Sequence, residues 1–265
     1  MLKIYQRFWQ VNWAEQWQYR ANLLMYLLYW LVSPIVYLAV WVTIANSRGS
    51  VSGLTANDFI TYYLTLLVVD QLTSDITIHI FAYKVQDGTL SGDLLRPVHP
   101  VLTGALVNNL AFKCLNLIAF VPIWLVFYLL FQPDYSSVSA SSILLALTGL
   151  LLGFGLRFLF DAIITCLAFW TTRVFSIAHF ASLFVVLLSG QFVPLQLMPA
   201  QIQEIASWLP FQLFIYVPIE VIRGRLPVDT LLRDYALGLV WLVVLYALFI
   251  WEWRSGVKRY SAVGA

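Results

Sequence analysis

The chain has 265 residues, of which 61% are hydrophobic and 11% charged, with a formal net charge of +2 and a mean hydropathy of +0.82. A soluble domain carries about 25% charged residues, so the composition describes an integral membrane protein and excludes most soluble enzymes and nucleic-acid binders. A helical crossing takes about 20 apolar residues, so the length allows about six crossings with short connections, one polytopic domain over residues 1–265, and no room for a large soluble domain.

Residues 1–20 show no secretory signal pattern. They mix Lys3, Arg7, Glu15 and Arg20 with aromatics, and Trp9, Trp13 and Trp17 recur at i, i+4, i+8. That pattern predicts a helix lying in the membrane interface, with a plain extension of the first span as the alternative. The first span is expected at 21–44, closed by the polar stretch Asn46-Ser47-Arg48-Gly49-Ser50, and the second at 59–83, although it contains Asp70, Asp75 and His79. After the polar loop 84–100, a third span covers 101–131, long enough to tilt. A turn at Gln132-Pro133-Asp134 precedes the fourth span, 142–170.

The fifth span, 175–193, is only long enough to cross without tilt. Beyond it, Pro194, Pro199, Pro210 and Pro218 interrupt the segment 194–222, and neither 201–209 nor 211–222 is long enough to cross. Proline removes a backbone donor, so this segment is expected to be a broken re-entrant helical hairpin, tolerated where protein or water satisfies the freed groups. The sixth span is 235–251. Lys3, Arg7, Arg20, Lys84, Arg96, Arg173, Arg254, Lys258 and Arg259 then fall on one side, against Arg48, Arg223, Arg225 and Arg233 on the other. The positive-inside rule makes both termini cytoplasmic. No repeat or internal duplication is evident.

The chain holds no Gly-x-Ser-x-Gly elbow, His-Glu-x-x-His helix or phosphate-binding Gly-x-x-x-x-Gly-Lys loop, so no catalytic residue is assigned and ATP is not hydrolysed by that route. His79, His99 and His179 stand at no metal-ligand spacing, and no metal is expected. Cys114 and Cys166 lie inside apolar runs as packing residues. Ionisable residues within spans are functional candidates by default. Arg157 and Asp161, at i, i+4, can neutralise one another, and Asp75 and His79 repeat that spacing. Asp70, Asp75, His79 and Lys113 could form a proton or ion relay; alternatively, these groups are structural pairs or line a hydrated seam. In the 84–100 loop a turn at Asp87-Gly88 leads into an amphipathic piece with Leu90, Leu94 and Leu95, stopped by Pro97 and Pro100. Such a piece can dock into a groove of a cytoplasmic partner, or simply lie on the headgroups.

Two motifs resemble those of a known family: Gly88-Thr89-Leu90-Ser91-Gly92-Asp93-Leu94-Leu95-Arg96-Pro97, and Ser189-Gly190-Gln191-Phe192-Val193-Pro194-Leu195-Gln196-Leu197-Met198-Pro199 followed by Trp208-Leu209-Pro210-Phe211. With the span order, they make the chain similar to the permease subunit of a type-2 ATP-binding-cassette (ABC) transporter, in the short six-span branch without a fused nucleotide-binding domain. The resemblance implies an all-α membrane fold in which 1–20 is a connecting helix, 84–100 the coupling loop and 194–222 a pair of external helices. It implies that Asp87, Gly88, Leu90, Leu94, Leu95, Arg96 and Pro97 meet a separate ATPase, present in two copies and carrying ATP and Mg. It further implies a second permease, identical or homologous, in the bacterial inner membrane, and export of hydrophobic or amphipathic cargo such as a lipid, glycolipid or antibiotic. No cofactor is expected in this chain and no nucleic-acid partner; membrane lipids surround it. The aromatics Tyr26, Tyr29, Trp30 and Tyr37 suit such cargo, although aromatics also anchor helices at interfaces. Two other readings remain: a secondary transporter using Asp70, Asp75, His79 and Lys113, and a lipid-acting enzyme using Arg157 and Asp161.

Overall fold

The computed structural model describes residues 2–260, apart from the side chains of residues 2–5, Arg20, Leu23 and His79. Every regular element among the described residues is helical. Helix α1 (Leu2–Gln18) and α2 (Arg20–Arg48) are separated by Tyr19, whose ψ of 30° breaks the helical path. α1 carries the predicted aromatic face, with Trp9 and Trp13 stacked at 5.9 Å, and packs against the helix that follows the 84–100 loop.

Helix α3 (Ala56–Thr73) starts at a capping box in which Thr55 Oγ1 accepts from Asp58 N–H while the Asp58 carboxylate accepts from Thr55 N–H. Two orphan donors are thereby satisfied. The second span is not the continuous helix expected over 59–83. α3 stops at Thr73, Ser74 is extended at ψ 158°, and a separate helix α4 (Thr77–Gln86) begins three residues later. The cause is local. The Asp75 carboxylate accepts from Thr77 N–H and Oγ1, both at 2.9 Å, an alternative to the helical ladder that Ser and Asp side chains characteristically offer.

The short helix α5 (Leu90–Leu94) lies in the loop. A π-helical turn, Pro100–Ala105, then opens α6 (Leu106–Phe131), which Gln132 ends in the left-handed conformation. α7 (Ala140–Cys166) follows a Ser139 capping box and runs into a 3₁₀ turn, Leu167–Phe169. α8 (Val174–Leu188) has 15 residues, about 22 Å of helix at 1.5 Å per residue against a hydrocarbon core of about 30 Å. The fifth span expected over 175–193 therefore ends early: the chain turns at Gly190, whose φ of +84° is open to glycine. The proline-rich segment resolves into α9 (Ala200–Trp208), a 3₁₀ turn Pro210–Phe214 and α10 (Tyr216–Ile222). Ile205 and Trp208 on α9 are exposed, whereas Phe214, Val217 and Ile219 are fully buried. α11 (Val228–Arg259) is last.

Among the described residues, four helical stretches are long and apolar enough to cross a membrane: Leu24–Arg48, Pro100–Phe131, Ala140–Phe169 and Val228–Arg259. α7 is the centre of the packing, in contact with α3, α4, α8, α10 and α11. Gly149 and Gly153, one turn apart, make this possible: a Cβ at Gly149 would strike the Tyr235 hydroxyl, and one at Gly153 the Leu213 carbonyl. Small residues at i, i+4 are how membrane helices let backbones approach where lipid supplies no hydrophobic drive.

Candidate functional site

Three structured regions adjoin α3 and α4: the 84–100 loop that follows α4, a polar cluster at the α3–α4 break, and the cap that the segment from Gly190 to Arg225 forms on α3.

The loop is braced from inside. Lys84 Nζ and Arg96 Nη1 both reach the Asp93 carboxylate, at 2.7 and 2.9 Å. The Tyr260 hydroxyl donates to Gly88 O at 2.6 Å, tying the end of α11 to the turn. Arg96 also lies over the Phe8 ring at 5.7 Å, which attaches α1. His99 Nδ1 accepts from Val101 and Leu102 N–H, and its ring packs at a tilt against Trp253 at 4.5 Å; burial pushes its pKa below the usual imidazole value. The predicted docking residues divide into two sets. Gly88 is buried and Leu90 is fully buried in the core, so neither faces outward, whereas Leu95 is 88% exposed beside exposed Asp87, Arg96 and Pro97. Leu94 sits between, packed on the core edge.

The charges expected within spans are paired differently from expectation. Arg157 does not form an ion pair with Asp161 on its own helix; it reaches across to Asp70 at 2.9 Å. Lys113 forms no ion pair with Asp70 or Asp75 among the described residues. Its ammonium donates to the backbone carbonyls of Gln71, at 3.1 Å, and Ser74, and contacts Ser74 Oγ at 3.3 Å. Asn109 Nδ2 donates to Asp75. Among the described residues, Asp70, Asp75 and Lys113 are not joined to one another by ion pairs; the fourth member of the expected relay, the His79 side chain, lies outside the described residues. Asn109, Lys113 and Asn116, all buried, were missed as a set by sequence reading, although polar residues at i, i+4, i+7 within an apolar helix are a legible signal of an inward polar stripe.

At the opposite end, the Tyr62 and Tyr63 hydroxyls donate to Gly190 O and Phe192 O at 2.7 and 2.8 Å. Arg223 pairs with Glu220 at 2.7 Å and with Asp58 at 3.3 Å, and Arg225 joins the same Asp58. Of the hairpin prolines, Pro194 and Pro199 precede helical turns, Pro210 opens one and Pro218 lies in the first turn of α10. These are positions where a missing N–H costs least.

The α2 aromatics do not act as one surface. Tyr29 is 75% exposed and Tyr26 half-exposed, edge-on to Phe112. Tyr37 packs edge-on to Phe192 at 5.2 Å as part of the cap, and Trp30 is partly buried. Two clefts adjoin α1: one of about 210 Å³, lined by Phe8, Asn12, Lys84, Asp93 and Arg96, and one of about 260 Å³, lined by Gln16, Tyr19, Tyr26, Asn108 and Phe112. Their walls mix aromatic rings with amides and charges.

A family model described as ABC-2 family transporter protein matches residues 31–264. No curated protein and no solved structure matches the chain.

Proposed function

The chain belongs to the ABC-2 transporter family, as a membrane permease that works with an ABC ATPase, and from this premise we propose that it is the membrane subunit of an ATP-driven exporter. The 84–100 loop receives the stroke of the ATPase, which binds ATP and Mg; this chain supplies the route and none of the hydrolytic chemistry. Two permeases, identical or homologous, stand over two ATPase subunits, and cargo passes between them.

In this reading the chain crosses six times: by the four long helices, by α3 and α4 together as a broken span, and by α8 with the turn that follows it. Both termini are cytoplasmic, in a bacterial inner membrane, with α1 along the interface and 194–222 as an external re-entrant cap. The mixed aromatic and polar walls of the clefts beside α1 support an amphipathic cargo of lipid, glycolipid or antibiotic type.

The observation that carries the coupling assignment is the contrast within one loop. An apolar side chain, Leu95, is left exposed on a piece of backbone fixed from within by Lys84, Asp93, Arg96 and Tyr260. A rigid element with an exposed apolar tip can be gripped and moved as a unit. The test is a detergent pull-down of the tagged protein from its native membrane, with mass spectrometry of what co-purifies. A cassette ATPase at comparable abundance is expected. Recovery of the permease alone, driving transport in liposomes without ATP, would sink the proposal.

A further inference from the structure

We propose that the α3–α4 break is the pivot through which the stroke of the 84–100 loop reaches the external cap, and that Lys113 is the positioning residue that ties this pivot to α6. The proposal rests on the exporter reading above and adds to it the residue through which movement passes.

The path is continuous in space. Below the break, α4 is a lever of 10 residues, about 15 Å long, and its last turn carries Lys84, bonded to Asp93 of the loop. Above the break, α3 carries Tyr62 and Tyr63, bonded to the carbonyls of Gly190 and Phe192 in the cap. One span therefore touches both the docking loop and the cap, and it is interrupted in the middle at 74–76. A broken helix leaves its last carbonyls without intrahelical donors, and in a membrane interior no water is at hand to replace them.

Lys113, from a different helix, supplies those donors. It bonds the carbonyls of Gln71 and Ser74 together with Ser74 Oγ, while Asn109, one turn earlier on α6, holds Asp75 within the gap, whose carboxylate in turn accepts from Thr77 at the start of α4. α6 thus grips both lips of the break. The grip is not saturated: Gln71 Nε2, Asn109 Oδ1 and both side-chain polar atoms of Asn116 are buried without a hydrogen-bond partner among the described residues. Buried polar atoms without partners are costly. Two amides in this state at the joint, Gln71 and Asn109, with a third, Asn116, one turn beyond Lys113 on α6, leave hydrogen-bonding capacity for a second arrangement of the same groups, or for water admitted when the joint opens. Packed interiors switch between discrete arrangements instead of deforming continuously, and spare polar partners at a break provide a second one.

The experiment uses the complex of permease and ATPase as it co-purifies, with Cys114→Ala and Cys166→Ala, and a spin label at Ile205→Cys, an exposed position on α9. The input is ATP hydrolysis by the partner. The output is the change in distance between labels on the two permeases when the complex is trapped with ATP, Mg and vanadate. With Lys113 present, trapping shifts the distance. In Lys113→Met, hydrolysis persists and the shift is lost, and Lys113→Arg, which restores donors, regains it. A second variant, Ser74→Ala/Asp75→Ala/Ile76→Ala, favours a continuous helix across the break and loses the shift as well. A full shift in Lys113→Met overturns the pivot. Failure of both variants to assemble beside the ATPase assigns the break to folding and equally overturns it. A parent complex that neither hydrolyses ATP nor moves its labels defeats the exporter reading instead, so the two failures are distinct.

Discussion

Arg157 on α7 donates to the Asp70 carboxylate on α3 at 2.9 Å, joining two helices inside the packed helical core, with side chains only 18% and 13% exposed. Removing one partner of a buried pair leaves the other charge uncompensated, at a cost of about 3–5 kcal/mol. Arg157→Met is therefore expected to lower the detergent unfolding midpoint sharply, and the double variant Asp70→Asn/Arg157→Met to recover most of the loss. If the double variant is as unstable as the single one, the pair is not what holds α3 to α7.

The loop leucines provide a second test because burial separates them. Leu95→Asp places a charge on an exposed tip and leaves insertion and thermal stability near those of the parent, while ATPase co-purification falls. Leu90→Asp buries a charge at a position with no exposure, so the protein itself is destabilised. Thermal stability and co-purification measured on the same preparations separate the two effects.

Sequence reading reached the helical class, the boundaries of three of the four long helices to within a few residues, and the two motif regions, because apolar length and proline placement are local signals; the last helix, Val228–Arg259, starts seven residues before and ends eight residues after the expected 235–251. Sequence reading did not reach the break at 74–76. Val68, Val69, Leu72 and Ile76 keep the stretch apolar, and although the bonds of Asp75 to Thr77 are local, the donors that satisfy the carbonyls freed by the break come from Lys113 on α6 and are visible only after packing. It paired Arg157 with Asp161 from helical spacing alone, whereas a partner on another helix, Asp70, lies within reach only after packing. It also treated Leu90, Leu94 and Leu95 as one face, and the chain sorts them by depth.

Close approach at Gly153 predicts a large effect from a small change. A side chain there meets the backbone carbonyl of Leu213, which cannot rotate away. Overpacking typically costs about 1–3 kcal/mol, so Gly153→Leu is expected to lower stability by at least that much and to loosen the 210–214 turn. Faster proteolysis within 200–222 reports this; unchanged cleavage would show that α7 and the turn can separate without loss.

His99 gives the loop a pH dependence. Burial lowers its pKa from the ordinary imidazole value of about 6.5, so the folded chain holds the imidazole neutral where the unfolded chain binds a proton. Stability from this residue is complete above about pH 6.5 and is lost as pH falls below that value toward the lowered one. Protonation of Nδ1 would also end its acceptance from Val101 and Leu102 N–H. Thermal unfolding followed from neutral to mildly acid pH is expected to fall more steeply in the parent than in His99→Asn.

Photo-crosslinking from position 95 reports directly on the contact between permease and ATPase. With a photoreactive phenylalanine in place of Leu95, irradiation of native membranes is expected to join the permease to a cassette ATPase, with no such product from the same residue at Leu151, an exposed position on α7. Adducts to lipid alone from position 95, in membranes where the ATPase is present, would contradict the coupling role of the loop.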